Sequence, residues 1–252
     1  MHIVVLAAGL GTRFGGLKQL APVGPHGEAI MDVLLARAAQ CGFDHGVVVV
    51  RAEVEESVAS HFIAFPPPMP HELIVQAVPA ERERPLGTAH AVLACRASVE
   101  GSFAVVNADD LYPVDAFAML QRHLATRAEH GSVAFRLEKT VIGDQPVSRA
   151  VLVLAEDRVV EIEEHTRLER SAIPGETWVS MNMWGFQPSI FDRLEQAVDT
   201  FTSSGAETEI RLPDVVASMT ASGETVRVLR SEHRCIGITY AEDLAVVRDE
   251  LE

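Results

Sequence analysis

The chain has 252 residues, 48% hydrophobic and only 6% aromatic, enough for one sizeable core, and we expect a single domain over 1–252. Its formal net charge of −15 argues against nucleic acid or an anionic membrane as partner, so any bound phosphate must be met by local cations or a metal. No run reaches the roughly 20 apolar residues of a membrane span. The cysteines Cys41, Cys95 and Cys235 lack disulfide or zinc spacing, so we expect a cytoplasmic protein with buried thiols.

The chain opens on the apolar run Ile3 to Leu6, which reads as a strand covered on both faces. Ile30, Val33, Leu34, Ala38 and Cys41 then repeat at helical spacing, and Gly42 closes the segment. Val47 to Val50 and Leu73 to Val75 are further strands, separated by the stiff connector "FPPPMP", Phe65 to Pro70. Thr88 to Ala97 reads as a helix, Phe103 to Val106 as a strand, and Phe117, Leu120 and Leu124 mark another helix. This alternation predicts βαβ units in an α/β doubly wound, mostly parallel sheet.

From about Ser132 the rhythm shifts to strands: "SVAFRLE", then "RAVLVLAEDRVVEI" turning at Glu156-Asp157, then "WVSMNMWGF". A helix from Ser189 to about Phe201, a second in "DVVASM", and a last one capped by the T-x-x-E box Thr239 to Glu242 complete the pattern. Residues 1–130 are therefore expected to form a nucleotide-binding half. Residues 131–252 would add mixed strands that wall a second pocket.

The stretch "LAAGLGTRFGGLKQL", Leu6 to Leu20, places four glycines, Arg13 and Lys18 directly after the first strand. It is not a phosphate loop of the G-K-[ST] kind, since Lys18 lies between Leu17 and Gln19. Nor is it a dinucleotide fingerprint, because Phe14 stands where the third glycine should be. Glycines after a strand still let backbone N–H groups approach phosphate oxygens. Only two of the 21 basic residues are lysines, so a lysine in this loop points to a compact charge for polyphosphate.

These residues resemble the L-A-A-G-x-G-T-R signature, with a following K-Q pair, of the sugar-1-phosphate nucleotidyltransferases. "LGTAHAV" is similar to the base-binding segment of the family's uridylyltransferases, and "VVNADD" stands where they carry a metal-binding aspartate. "VEIEEH" and "SMNMWGF" fall where the family places sugar-contacting Glu and Asn. The resemblance implies a Rossmann-like GT-A nucleotidyltransferase fold. It also implies transfer of NMP from an NTP, UTP or dTTP favoured, to a sugar-1-phosphate or similar phosphorylated alcohol.

Under that resemblance Arg13, Lys18 and Asp109 are the catalytic candidates. Leu6, Ala7, Ala8, Gly9, Gly11, Thr12, Gln76, Gly87 and Thr88 would bind the nucleotide, and Glu164 and Asn182 the acceptor. Asp109, with Asp110 as fallback, would hold Mg2+. A glutamine such as Gln76 can offer one donor and one acceptor to a pyrimidine edge, and Gly87 would let the backbone approach the ring.

Two departures stand out. Glu164-His165-Thr166 replaces the family's Glu-Lys-Pro, and Gly237 or Thr239 stands where many members supply a second metal carboxylate. A GT-A glycosyltransferase and a non-catalytic nucleotide-sugar-sensing homologue are the alternative readings. The partners are thus small molecules rather than nucleic acid or membrane, and the sequence leaves open whether the chain forms a homo-oligomer.

Overall fold

A computed structural model describes the whole chain except Leu10, Thr12, Glu81, Glu83, Asp144, Arg170, Ser171, Glu207 and Glu252. Thr12, one of the predicted loop residues, therefore lies outside the described residues. The first half alternates strand and helix: β1 (His2–Leu6), α1 (Ile30–Gln40), β2 (His45–Val50), α2 (Ala52–Ala64), β3 (His71–Val75), α3 (Thr88–Leu93), β4 (Phe103–Asn107), β5 (Asp110–Leu111) and α4 (Val114–Thr126). The second half runs β6 (His130–Arg136), β7 (Val147–Ala155), β8 (Arg158–Leu168), β9 (Trp178–Phe186), α5 (Ile190–Ser203), α6 (Leu212–Ala221), β10 (Val226–Ser231), β11 (Ile236–Gly237) and α7 (Asp243–Asp249).

Among the described residues, nine strands form one sheet in the order β3-β2-β1-β4-β9-β6-β10-β8-β7, with β7 also pairing with β9. β1 to β4 are mutually parallel where they pair, and β6 and β10 add a further parallel pair. β9 runs antiparallel between β4 and β6, and β7 and β8 make an antiparallel hairpin that turns at Glu156. Burial on both faces explains the unbroken apolar runs: Val4 and Val47 pack with Trp184 and Phe103 on one side, Val5 and Val48 with Met31 and Phe117 on the other. Each such side chain contributes about 1.5–3 kcal/mol when fully buried.

Several expectations need correcting. α2 was not anticipated, because Val54, Val58 and Phe62 give it only a narrow buried stripe among Glu53, Glu55 and Glu56. α3 stops at Leu93 instead of continuing to Ala97. Cys41 is half-buried, unlike Cys95 and Cys235. The last helix is capped by Asp243 rather than by a Thr239–Glu242 box: its carboxylate accepts the N–H groups of Thr239 and Tyr240 at 2.7 and 2.8 Å. No described helix is long and apolar enough to cross a membrane.

One crossing fixes the floor of the cleft described below. Gly87 adopts φ +119°, and a Cβ there would lie 2.4 Å from the Ile210 carbonyl oxygen. Ile210 N–H donates to Leu86 O at 2.7 Å, Ala89 N–H to Ile210 O at 3.2 Å, and Leu212 N–H to the Thr88 hydroxyl at 2.8 Å. The 86–89 turn and the 210–212 segment are thus laced together without room for a side chain. Gly87→Ala should lower stability by roughly 1–3 kcal/mol, read as a reduced urea midpoint at unchanged slope.

Candidate active site

In a parallel sheet the loops leaving the carboxyl ends of neighbouring strands flank a crevice, and here Leu6 of β1 pairs with Asn107 at the end of β4. A cleft of about 530 Å3 opens there, lined by Leu6, Ala7, Ala8, Gly9 and Gly11 on one side and Gln76, Gly87 and Thr88 on the other. A second lobe of about 310 Å3 adjoins it, lined by Asp110, Arg149, Glu164 and Arg211 among others. Arg13, Lys18, Asn107, Asp109, Asn182 and Thr239 border both lobes. Every described residue predicted from the sequence thus faces one lobe or both, although β8 and β9 lie far from the glycine loop in the chain.

Lys18 follows the glycines in a short 3-10 turn, Lys18–Leu20. Its ammonium pairs with the Asp109 carboxylate and donates to the Ile238 carbonyl at 3.2 Å. Asp109 is only partly exposed and faces the junction of the lobes, whereas its neighbour Asp110 is 5% exposed. Asp110 Oδ2 accepts from Asn107 Nδ2 at 2.8 Å and lies 3.1 Å from the Tyr112 hydroxyl. That hydroxyl also lies 2.6 Å from the Met181 carbonyl and accepts the Asn107 N–H at 3.0 Å. Burial, reinforced by the charge of Asp109, raises the Asp110 pKa to about 6.

Opposite Asp110, a Cβ on Gly237 would lie 2.2 Å from Asp110 Oδ1. Of the two positions where a second carboxylate was expected, Gly237 leaves its space to the Asp110 side chain and Thr239 lines both lobes. Among the described residues no group of three or more His, Cys, Asp or Glu could hold a metal ion. A hard cation that keeps water and phosphate ligands needs only one or two carboxylates, which Asp109 and Asp110 could supply.

Gln76 is buried, and its amide nitrogen donates to Gly87 O at 3.0 Å and faces His90 Nδ1 at 3.2 Å. Desolvation lowers the His90 pKa and so favours the neutral ring that this contact needs. Gln76 is therefore left with its carbonyl oxygen, an acceptor only, rather than the donor and acceptor expected from its side chain. Gly87 is required by the Ile210 backbone and also lines the cleft, and the Thr88 hydroxyl accepts the Leu212 N–H.

Asn182 lies within β9 at φ +55°, a left-handed conformation that asparagine tolerates better than most residues. Its Oδ1 accepts from Trp184 Nε1 at 3.0 Å and its Nδ2 donates to Asn107 Oδ1 at 3.3 Å, which aims the amide at the wall between the lobes. Glu164 lies 3.6 Å from Arg211, and burial raises its pKa. Arg149 is half-buried: it donates to Thr140 Oγ1 at 3.1 Å, Thr140 O at 2.6 Å and Ser148 O at 2.8 Å. None of the described carboxylates forms an ion pair with it, and desolvation lowers its pKa.

With this geometry in view, residues 3–177 match the MobA-like NTP transferase domain, more than half of the chain. The chain belongs to that family. The bifunctional protein GlmU of Nocardia farcinica is 29% identical over 243 residues, 90% of this chain but 45% of that protein. The chain thus spans about half the length of the GlmU relatives it matches. The UTP–glucose-1-phosphate uridylyltransferase AglF of Haloferax volcanii is 24% identical, covering 100% of this chain and 95% of its own. Among solved structures, the inositol-1-phosphate CTP transferase from T. maritima superposes with a TM-score of 0.73 at 15% identity, over 99% of this chain and 95% of its own. A UDP-glucose pyrophosphorylase complexed with UDP-glucose gives 0.70 at 14% identity, over 99% and 97%. These likenesses show the shared α/β nucleotidyltransferase fold.

In this member of the MobA-like family, Arg149 and Arg211 escaped sequence reasoning. Arg149 leads the apolar run "RAVLVLA", where a lone charge is a usable signal; Arg211 carries no local signal, since it reaches Glu164 only through the fold. His165, the residue in place of the family's lysine, is outside the cleft and lies 3.5 Å from Glu163.

The Asp110 pKa also bears on stability. With a folded value near 6 against an ordinary 3.8, the native state holds more protons than the unfolded chain between about pH 4 and 6, so stability falls as pH rises through that window. In chelator-containing buffer Asp110→Asn should remove most of this slope and raise the melting temperature at pH 8 by a few degrees, checked by thermal melts across pH.

Proposed function

We propose that the protein is a nucleotidyltransferase that moves NMP from an NTP, UTP or dTTP in preference, to a sugar-1-phosphate or similar phosphorylated alcohol and releases pyrophosphate. The observation that carries this reading is the pair of adjoining lobes with Arg13, Lys18 and Asp109 on their common wall. The first lobe suits a nucleotide and the second a phosphorylated acceptor. Phosphorus would pass between them in front of those three side chains. The chain would act as one catalytic unit over 1–252, with residues 1–130 holding the nucleotide and 131–252 the acceptor.

An acceptor phosphate oxygen attacks the α-phosphorus while the bond to the bridging α–β oxygen breaks in line, so pyrophosphate leaves with the electron pair. The negative charges of two substrates meet there, and the protein's task is to align and neutralise them. Backbone amides near Gly9 and Gly11 face the phosphates, and Arg13 and Lys18 meet charge that grows on the leaving group. Asp109 with Asp110 behind it would hold Mg2+, which when bound supplies charge neutralisation at phosphate oxygens. Lys18 pairs with Asp109 and so offsets part of the charge of the two adjacent carboxylates.

On the base side, Gln76 Oε1 is the acceptor that an imide N3–H requires. Cytosine could offer its amino group to the same oxygen, so CTP is the natural competitor. On the acceptor side, Glu164 and Asn182 present hydrogen-bonding groups for sugar hydroxyls, and Arg149 is the cation available to the acceptor phosphate in place of the family's lysine, since Arg211 is already engaged by Asp214 and Glu164. Arg149 has N–H groups left after its three protein contacts, and its guanidinium can grip two phosphate oxygens.

The deciding experiment is pyrophosphate release from UTP, dTTP, CTP, ATP and GTP against a panel of sugar-1-phosphates, with and without Mg2+. Turnover with UTP or dTTP is expected. Asp109→Asn should reduce it by at least about 100-fold with unchanged melting behaviour, and Lys18→Arg should also impair it because a planar fork does not replace a point charge. Hydrolysis of UDP-sugars without NTP turnover would instead favour a glycosyltransferase.

The acceptor lobe makes its own prediction. Arg149→Lys and Glu164→Gln should raise the acceptor KM by roughly 10-fold or more while the NTP KM moves little, measured by varying each substrate in turn. Equal effects on both substrates would assign these residues to architecture.

A further inference from the structure

A cavity of about 580 Å3 shares no lining residue with either lobe of the cleft. It is lined by Val33, Ala36 and Arg37 on α1, by Glu28 on the preceding turn, and by Phe65 with the three prolines that follow it. This is the "FPPPMP" stretch, which the catalytic reading leaves unused. The frame is stiff. The prolines have fixed φ, His61 Nε2 lies 2.8 Å from the Asp32 carboxylate, and the His61 ring stacks on Phe65 with centroids 5.0 Å apart. Asp32 also accepts the Ala29 N–H at 2.7 Å, so its charge is engaged within the frame.

Two charged side chains on this mostly apolar lining have no ion-pair partner among the described residues. Arg37 donates through Nη1 to the Tyr112 carbonyl at 2.6 Å, but none of the described carboxylates pairs with it. Glu28 accepts the His26 N–H at 2.8 Å and meets no described cation. Glu250 acts on Arg37 only from beyond ion-pair distance, and a half-buried guanidinium with no described carboxylate in contact is an arrangement that an anion completes. With one lining cation on a molecule of net charge −15, the anion must be small and of low charge; a polyphosphate would be repelled.

We infer that this cavity binds a small amphipathic organic acid: its anionic group on Arg37, its apolar body against Phe65 and Pro66 to Pro68, and an N–H donor towards Glu28. A ligand of this shape uses both unpaired charges and covers apolar surface that is otherwise wet.

The test is a fluorescence titration of the full chain with 8-anilinonaphthalene-1-sulfonate, which carries a sulfonate, an N–H and apolar rings. Saturable binding of one dye per chain is expected, unchanged by excess UTP and Mg2+. Ala36→Trp places bulk in the cavity from an exposed position, and Arg37→Gln removes the cation; each should weaken binding by at least about tenfold. Thermal melts verify that both variants are folded, and Arg37→Lys should retain part of the affinity. The neutral analogue N-phenyl-1-naphthylamine should bind more weakly and ignore Arg37→Gln. The proposal is overturned by absent binding, by displacement with UTP, by undiminished affinity in folded Ala36→Trp, or by equal binding of the neutral dye.

Discussion

The contact on which the cleft depends is the one made by the Lys18 ammonium. It joins the loop after β1, the Asp109 carboxylate beyond β4 and the Ile238 carbonyl near the end of the chain, three segments that are remote in sequence. Without a cation there, Asp109 and the buried Asp110 would stand side by side in a partly enclosed crevice. Burial raises the Asp110 pKa and repulsion from Asp109 adds to it, and that repulsion would then lose the opposing charge of Lys18. With it, the loop, the acidic strand end and the C-terminal segment close around one charge centre.

The second constraint is space. Asp110 can sit behind Asp109 because Gly237 carries no side chain, and the 86–89 turn can lie against Ile210 because Gly87 carries none. Both contacts bring a segment of the second half against the first, and both border the cleft. The chain has thus given up side chains where its halves meet, which keeps the walls close enough for groups from either half to face one volume. Asn182 adds a local strain of the same kind, a left-handed residue inside a strand whose amide is clamped by Trp184 and Asn107.

An acidic protein that handles anions must do so with few, well-placed cations. Arg13 and Lys18 stand on the wall between the lobes, while Arg149 comes from the second half. Arg149 and Arg37 are alike in being desolvated guanidinium groups held by carbonyl oxygens rather than by carboxylates. Such a group keeps much of its capacity to attract an anion. An arginine already paired with acids, such as Arg227 with Glu129 and Asp157, has spent it.

The sequence by itself determined the βαβ alternation of the first half, the glycine loop with Lys18, the acidic strand end at Asp109 and Asp110, and the Glu156 hairpin. Each is written in short-range pattern: period of apolar residues, glycine spacing, turn chemistry. It was silent or misleading where the outcome rests on contacts across the chain. The stripe Val54, Val58, Phe62 reads as a helix only once a sheet is there to cover it, and β10 has a place only beside β6. Tertiary structure alone decided that Gln76 spends its amide protons on Gly87 and His90, that Gly237 yields its space to Asp110, that His165 stays outside the cleft, and that Arg149 and Arg211 enter it. A residue's type fixes which bonds it can make, whereas the packing of distant strands fixes which of them are already taken.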